Sequence, residues 1–382
     1  MKIYYKTLYH LKNLGVIPSA ENMSEYVIGR NSEAEARHGD YRLPPFGDRP
    51  IRYIGVRPNG WVRAFSGNLR IEYATGIIYS GFRPIYGSTD GLHENNPNMP
   101  PTKPLAMFRQ RCREVEEAIL LKSLFQVAYY HFMFEVVPKL EIVDRAGIAP
   151  DVPVIVTEDL ASRKFFIGAE ALGLFGARPL IIQHREEVIR AKRLYVARAD
   201  AYTANQLSFP MKRLARQPSP RDRDRLYVTR SSQLLNGRHI VNEADLIPHL
   251  RQLGFSVIDP GTLPLSEQIA RFSRASIIVG PHGSGLTNTL FRYGAPMALV
   301  EMINDTKKWD NAHFQISVHC GYFYRATLNH AVPGHQKTAP AYADIDAVLA
   351  AVDEAIAWET DVYGESAPRS RTVRADVLDT RS

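Results

Sequence analysis

Apolar and polar positions change rhythm along this chain. Residues 1 to about 110 carry short apolar stretches among Gly, Pro, Tyr and Arg. Short candidate strands there include 71–73 and 76–79, and 91–104 reads as a loop. From Val115 a helical pattern takes over and runs into the segment 129–138. Strand and helix signals then alternate. Residues 152–156 and 180–182 suit buried strands, and 194–197 a further one. Residues 215–224, Ala-Arg-Gln-Pro-Ser-Pro-Arg-Asp-Arg-Asp, form a polar, proline-bearing break where a domain boundary belongs.

A second series follows the break. Residues 226–229 are a strand, and Asn242 suits the cap of a helix running toward Leu253, with Pro248 able to kink it. Strand 255–258, a helix capped by Ser266 and reaching Arg274, and strand 276–279 come next. A turn with two glycines then leads into a helix holding 286–291, and strands follow at 298–301 and 322–326. Such alternation predicts an α/β fold, a parallel sheet with helices on both faces. Ile345, Val348, Leu349, Val352 and Ile356 make an apolar stripe behind a capping Asp344. That helix is expected to pack on one domain or to bridge both. Beyond Tyr363 the chain turns polar, and 363–382 is expected to be a disordered tail.

Bulk composition narrows the class. At 382 residues, 45% hydrophobic and 23% charged, the chain has the profile of a globular protein with two substantial cores. Its net charge of +7, with a pI near 9.2, is spread out. It fits anionic small molecules, an anionic lipid surface or nucleic acid without choosing among them. No run of basic residues interleaved with aromatics points to nucleic acid. Two cysteines, Cys112 and Cys320, do not make a disulfide framework, and a reducing compartment is the simplest reading. The first 18 residues lack the apolar core of a signal peptide. The most apolar window, 118–137, contains Lys122, Gln126, His131 and Glu135 and does not suit a membrane span. The expected location is cytoplasmic. The basic, aromatic segment from Lys2 to Lys12 allows peripheral contact with the inner face of a membrane.

The densest chemistry lies at 277–288, Ile-Ile-Val-Gly-Pro-His-Gly-Ser-Gly-Leu-Thr-Asn. A β-branched run, a turn holding Gly283 and Gly285, and a helix start form an anion site. Glycine lets the backbone approach a ligand, and helix-start N–H groups favour negative charge. A diphosphate is the natural occupant, and an ordinary strand-to-helix turn is the plain alternative. In open parallel sheets ligands sit beyond the C-terminal strand ends. That rule gathers Arg230, His282, Gly283, Ser284, Gly285, Asn288 and Glu301 into one nucleotide site. A guanidinium offers forked hydrogen bonds to phosphate, and a carboxylate accepts from both hydroxyls of a ribose. Arg238 and Asn242 follow in the loop after Arg230, where Asn242 fits a cap as well as a ligand contact. His131 and Glu135, four residues apart, share a helix face. They suit a general base with its orienting imidazole, or a core histidine satisfied by its neighbour. Asp222-Arg223-Asp224 has the Asp-x-Asp spacing of a metal site, but it precedes a strand and is crowded by Arg221, Arg223 and Arg225, so it reads as a solvated loop. No histidine spacing resembles a zinc site, and His313 and His319 are too loosely placed to count.

Three ordered blocks together resemble glycosyltransferase family 61, a group often described in bacteria as capsular polysaccharide biosynthesis proteins. Residues 130–140, Tyr-His-Phe-Met-Phe-Glu-Val-Val-Pro-Lys-Leu, look like the family's His-Phe-x-x-acid-x-x-Pro-Arg-Leu segment, with Lys139 for the commoner arginine and Glu135 for a frequent aspartate. Residues 225–230 with Arg238, Asn242 and Glu243 resemble its central strand and basic loop. Residues 280–288, continuing to Glu301, look like its His-Gly-x-Gly-Leu-x-Asn block. The resemblance covers roughly 115–305; residues 1–110 carry no motif of the family.

The resemblance implies a GT-B-like fold, two Rossmann-like domains with parallel sheets facing across a cleft. An acceptor-side domain over 1–215, its first 110 residues irregular and joined by the helix 344–358, would face a nucleotide-sugar-binding domain over 216–343. It implies an inverting transfer from a nucleotide-sugar donor to a glycan acceptor without a required metal or other cofactor. Glu135 would be the base and His131 its orienter. Two alternatives share the architecture: a non-catalytic nucleotide- or glycan-binding protein, and a nucleotide-sugar hydrolase or epimerase.

Overall fold

The computed structural model describes residues 23–27, 41–42, 60–85, 88, 107, 109–199, 202–232, 238–305, 311–332 and 339–364. The expected loop at 91–104, the tail from 365 and the basic segment 2–12 lie outside the described residues. Two sheets organise the chain. The first uses β1 (Met23–Val27), β3 (Trp61–Ile71), β4 (Ile78–Ser80), β5 (Arg83–Pro84), β6 (Arg111–Leu120), β7 (Val154–Thr157), β8 (Leu180–Gln183) and β9 (Glu187–Arg198). Its order is β5-β4-β3-β9-β6-β7-β8, with β1 also paired to β3. The second runs β11-β10-β12-β13-β14-β15. Its strands are β10 (Asp224–Val228), β11 (Phe255–Ile258), β12 (Ala275–Pro281), β13 (Ala298–Asn304), β14 (Phe323–Ala331) and β15 (Ala341–Ala343). The short β2 (Tyr41–Arg42) pairs with β14, so the chain before residue 110 contributes to both sheets.

Both sheets are mixed, which corrects the expectation of parallel sheets. In the first, β9-β6-β7-β8 is parallel, but β1, β3, β4 and β5 add antiparallel pairings. In the second, only the β14–β15 pairing is antiparallel among these strands. The parallel centre is where the apolar runs are densest. Every residue of β12 is buried, as a strand covered on both faces requires.

Residues 111–120 form a strand, not the lead-in to a helix. Val115, Ala118 and Ile119 mimic helical spacing, but the charges between them find partners across β9. Arg113 bonds Glu187, Glu114 meets Arg190, and Glu116 meets Lys192. Exposed pairs of this kind are individually weak. Here they match the register that apolar Ala118, Ile119 and Leu120 impose at the buried end. Ser266 also moves: it lies inside its helix, which begins at Leu265 after Pro264.

The longer helices among the described residues are α1 (129–145), α2 (Lys164–Ala171), α3 (Ala204–Leu214), α4 (Glu243–Gln252), α5 (Leu265–Phe272), α6 (Ala312–Cys320) and α7 (Ile345–Gly364). One continuous apolar cluster joins residues of both sheets, including Val62, Ile119, Val154, Val228, Ile278 and Leu299. Helix α2 meets α5 so closely that a Cβ on Gly168 would lie 2.8 Å from Leu265 Cβ. Helix α7, which the sequence reading joins to the N-terminal half, packs on β12, β13 and β14. Its Val348, Val352 and Ala355 bury against Ile277, Val279 and Val300. Asp344 caps it as expected, accepting from Ala347 N at 3.0 Å.

Candidate active site

Strands β10, β12 and β13 lie side by side, so their C-terminal ends deliver Arg230, His282 to Gly283, and Glu301 to one edge. The chain needs glycine there for want of space. A Cβ on Gly280 would lie 2.9 Å from Val228 Cβ and from Val228 O. A Cβ on Gly283 would overlap the Arg230 guanidinium, so Arg230 rests directly on the turn. The segment after the turn, Ser284–Arg292, is a 3₁₀ helix and not the expected α-helix. Thr287, Asn288 and Thr289 are weak α-formers, and the Asn288 amide bonds back to Gly285 O at 3.1 Å. Ser284 remains exposed at the mouth of the turn and Gly285 half-buried.

Glu301 is fully buried and both its oxygens are engaged. Oε1 meets His282 Nδ1 at 2.6 Å, and Oε2 accepts from the Tyr324 hydroxyl at 2.6 Å. Burial by itself pushes this carboxyl up. The His282 hydrogen bond, the charges of His313 and His282 and the Tyr324 hydroxyl outweigh that and hold it below the ordinary carboxylate range. Tyr324 in turn is pushed well up, first by burial and then by Glu301. The Arg230 guanidinium is lowered mainly by burial and further by Arg238, with Asp259 opposing. Arg238 therefore stands close enough to act on the Arg230 guanidinium that rests on the glycine turn. Arg238 itself sits at a φ of 63°, anchored through its N–H to Ala339 O at 3.1 Å.

The second constellation forms on α1. Its segments are Tyr129–His131, a π-helical Phe132–Val136 and Val137–Arg145. Pro138 explains the widened turn: it has no N–H for Phe134 O, and its ring crowds that carbonyl. Gln206 of α3 takes the freed carbonyl at 3.0 Å, while Val137 N–H reaches back to Phe132 O. π-Turns are frequent at functional sites. Inside this one, Glu135 Oε1 lies 2.7 Å from His131 Nδ1 and Oε2 accepts from Ser123 Oγ at 2.7 Å. Both side chains keep solvent access, at 30% and 17%. The buried Lys139 donates to Lys122 O at 2.7 Å and so braces the segment that carries Ser123.

The two constellations meet. Tyr129 OH donates to Asn288 Oδ1 at 2.5 Å, and Asn288 Nδ2 donates to Gln268 at 2.9 Å. Tyr130 lies 5.3 Å from the His131 ring and 6.1 Å edge-on to His313, which lies 5.2 Å from His282. A continuous run of rings thus connects the His131–Glu135 pair to the glycine turn. His313 is the residue sequence reasoning passed over. It follows no motif, and only the packing of α6 against the sheet edge brings it to His282.

Other expected residues turn inward. Asn288 is fully buried with its amide engaged as above. Asn242 stands at the N-cap position of α4, but its side chain makes no capping bond. Its amide pairs with Ala343 in both directions, at 3.0 and 2.8 Å, and clips β15 in place. Glu243 accepts from Tyr227 and Thr229, each at 2.8 Å. Asp224 begins β10, at the strand end remote from the glycine turn, and binds Arg274 at 3.0 Å.

Residues 129–308 match the family model described as Glycosyltransferase 61. No curated protein matches the chain.

Proposed function

Residues 129–308 of this chain are a glycosyltransferase 61 segment, and from that premise we propose an inverting, metal-independent transfer of a sugar from a nucleotide-sugar to a glycan acceptor. The family supports a glycosyltransferase with donor and acceptor substrates in general. Bacterial capsular or surface polysaccharide synthesis is the setting we propose. The observation that carries the reading is the Tyr129–Asn288 bond, because it ties the carboxylate-bearing helix to the glycine turn.

In this reading the two halves form a GT-B-like pair, the first sheet serving the acceptor and the second the donor. Glu135 takes the proton of the acceptor hydroxyl as that oxygen attacks the anomeric carbon from the face opposite the leaving group. His131 and Ser123 orient the carboxylate. The bond to the diphosphate breaks as the new one forms, so configuration inverts. Charge growing on the diphosphate is met by Arg230, Arg238, His282 and the backbone from Gly283 to Gly285. Glu301 acts through His282, whose ring it holds. The paired guanidiniums supply the positive charge that a divalent ion gives other transferases. In the described residues no helix is long and apolar enough to cross a membrane. A cytoplasmic enzyme with peripheral membrane contact is the arrangement we propose.

The test is Glu135→Gln. Base removal costs about 100-fold to 10,000-fold in turnover, with nucleoside diphosphate binding retained. Ordinary turnover by this variant refutes the assignment. Pure wild-type protein given donor alone is expected to release little free sugar; rapid release makes it a hydrolase.

A further inference from the structure

We propose that His282, Glu301 and His313 form a binding site for a borderline transition-metal dication, with Zn²⁺ the probe of choice. The three come from separate elements: the glycine turn, β13 and α6. Their nearest ligand atoms all lie within 4.8 Å of one another. Zinc bonds of about 2.0–2.2 Å to nitrogen and oxygen put tetrahedral ligand pairs roughly 3.3–3.5 Å apart. The widest pair therefore closes by no more than about 1.5 Å, within reach of small side-chain rotations. The His282–Glu301 pair, at 2.6 Å, opens slightly.

The donor set selects the ion. Two imidazoles and one carboxylate suit zinc, cobalt or nickel, whereas Mg²⁺ takes oxygen ligands and keeps its water. The surroundings suit a ligand site. Glu301 and His313 are buried, so little water competes for them. The Tyr324 hydroxyl holds the second carboxylate oxygen at 2.6 Å, the outer-shell hydrogen bond that aims a ligating carboxylate. An ion here ties α6 to the sheet edge that carries the glycine turn. The proposed transfer routes no step through this ion, although both draw on His282, and the site stands or falls on metal binding alone.

The experiment titrates metal-stripped full-length protein with Zn²⁺ by calorimetry and thermal melting, and records the visible spectrum with Co²⁺. One Zn²⁺ per chain, a raised Tm, no response to Mg²⁺ and the intense cobalt bands of a low-coordinate site are expected. Tyr324→Phe should weaken Zn²⁺ by about 10-fold to 100-fold, and His313→Gln by more. Wild-type protein that leaves Co²⁺ with the weak spectrum of a hydrated ion overturns the proposal without recourse to any variant. So does a Zn²⁺ affinity that His313→Gln leaves unchanged, which would assign the binding to surface histidines.

Discussion

Arg230 sits in surroundings that its sequence neighbours do not announce. It lies on Gly283 and beside Arg238, and burial has removed much of the water that would otherwise screen it. A cation stripped of water and facing a like charge gains most when an anion arrives. Arg230→Ala is therefore expected to weaken nucleoside diphosphate binding by about tenfold or more, the worth of one charge-assisted hydrogen bond. Calorimetry against a panel of nucleoside diphosphates checks this, and an unchanged affinity removes Arg230 from the donor site. Asn288 teaches the opposite lesson at the same scale. It stands in the motif with the glycines, yet its side chain faces Tyr129, Gln268 and Gly285 O. Motif membership reported that the residue matters, and only packing reported how.

At the scale of elements, the π-turn of α1 is what gives Glu135 its place. Pro138 frees Phe134 O, and Gln206 from α3 answers it. The partner lies 72 residues away in the chain, so the turn depends on a tertiary contact that no local propensity encodes. Gln206→Leu keeps the volume but leaves that buried carbonyl without its donor. Its expected cost is about 1–3 kcal/mol of stability, read from urea unfolding. Turnover should fall further than folding does, because the turn bearing Glu135 relaxes. A variant with wild-type turnover and stability would show that the turn needs no such brace. The β6 strand marks where element prediction failed. Its charges looked like a helix surface, and the cross-strand partners on β9 that make sense of them come more than 70 residues later.

At the scale of the molecule, Arg292 ties the break between the halves to the second sheet. The side chain is fully buried. It donates to Ser219 O, Asp222 O, Ser273 O, Pro296 O and the Tyr363 hydroxyl. The polar break at 215–224, where the sequence places a domain boundary, is thereby pinned to the sheet and to the end of α7. Arg292→Met leaves several buried carbonyls unpaired. Each costs about 1–3 kcal/mol if water does not reach it, so unfolding at markedly lower urea is expected. A variant with unchanged midpoint would show that the break is held by other contacts.

The chain order alone determined that the fold is α/β, and it pointed to the ends of β10, β12 and β13, the glycine turn and the His131–Glu135 pair as the candidate site. These signals are local: apolar periodicity, glycine spacing and a helical i,i+4 pair survive in any window of a dozen residues. Tertiary structure alone decided the antiparallel strands of the first sheet, the inward aim of Asn242 and Asn288, the engagement of Glu301 by Tyr324, and the arrival of His313 beside His282. Each of those depends on partners tens of residues apart, brought together by burying apolar faces whose partner no local pattern names.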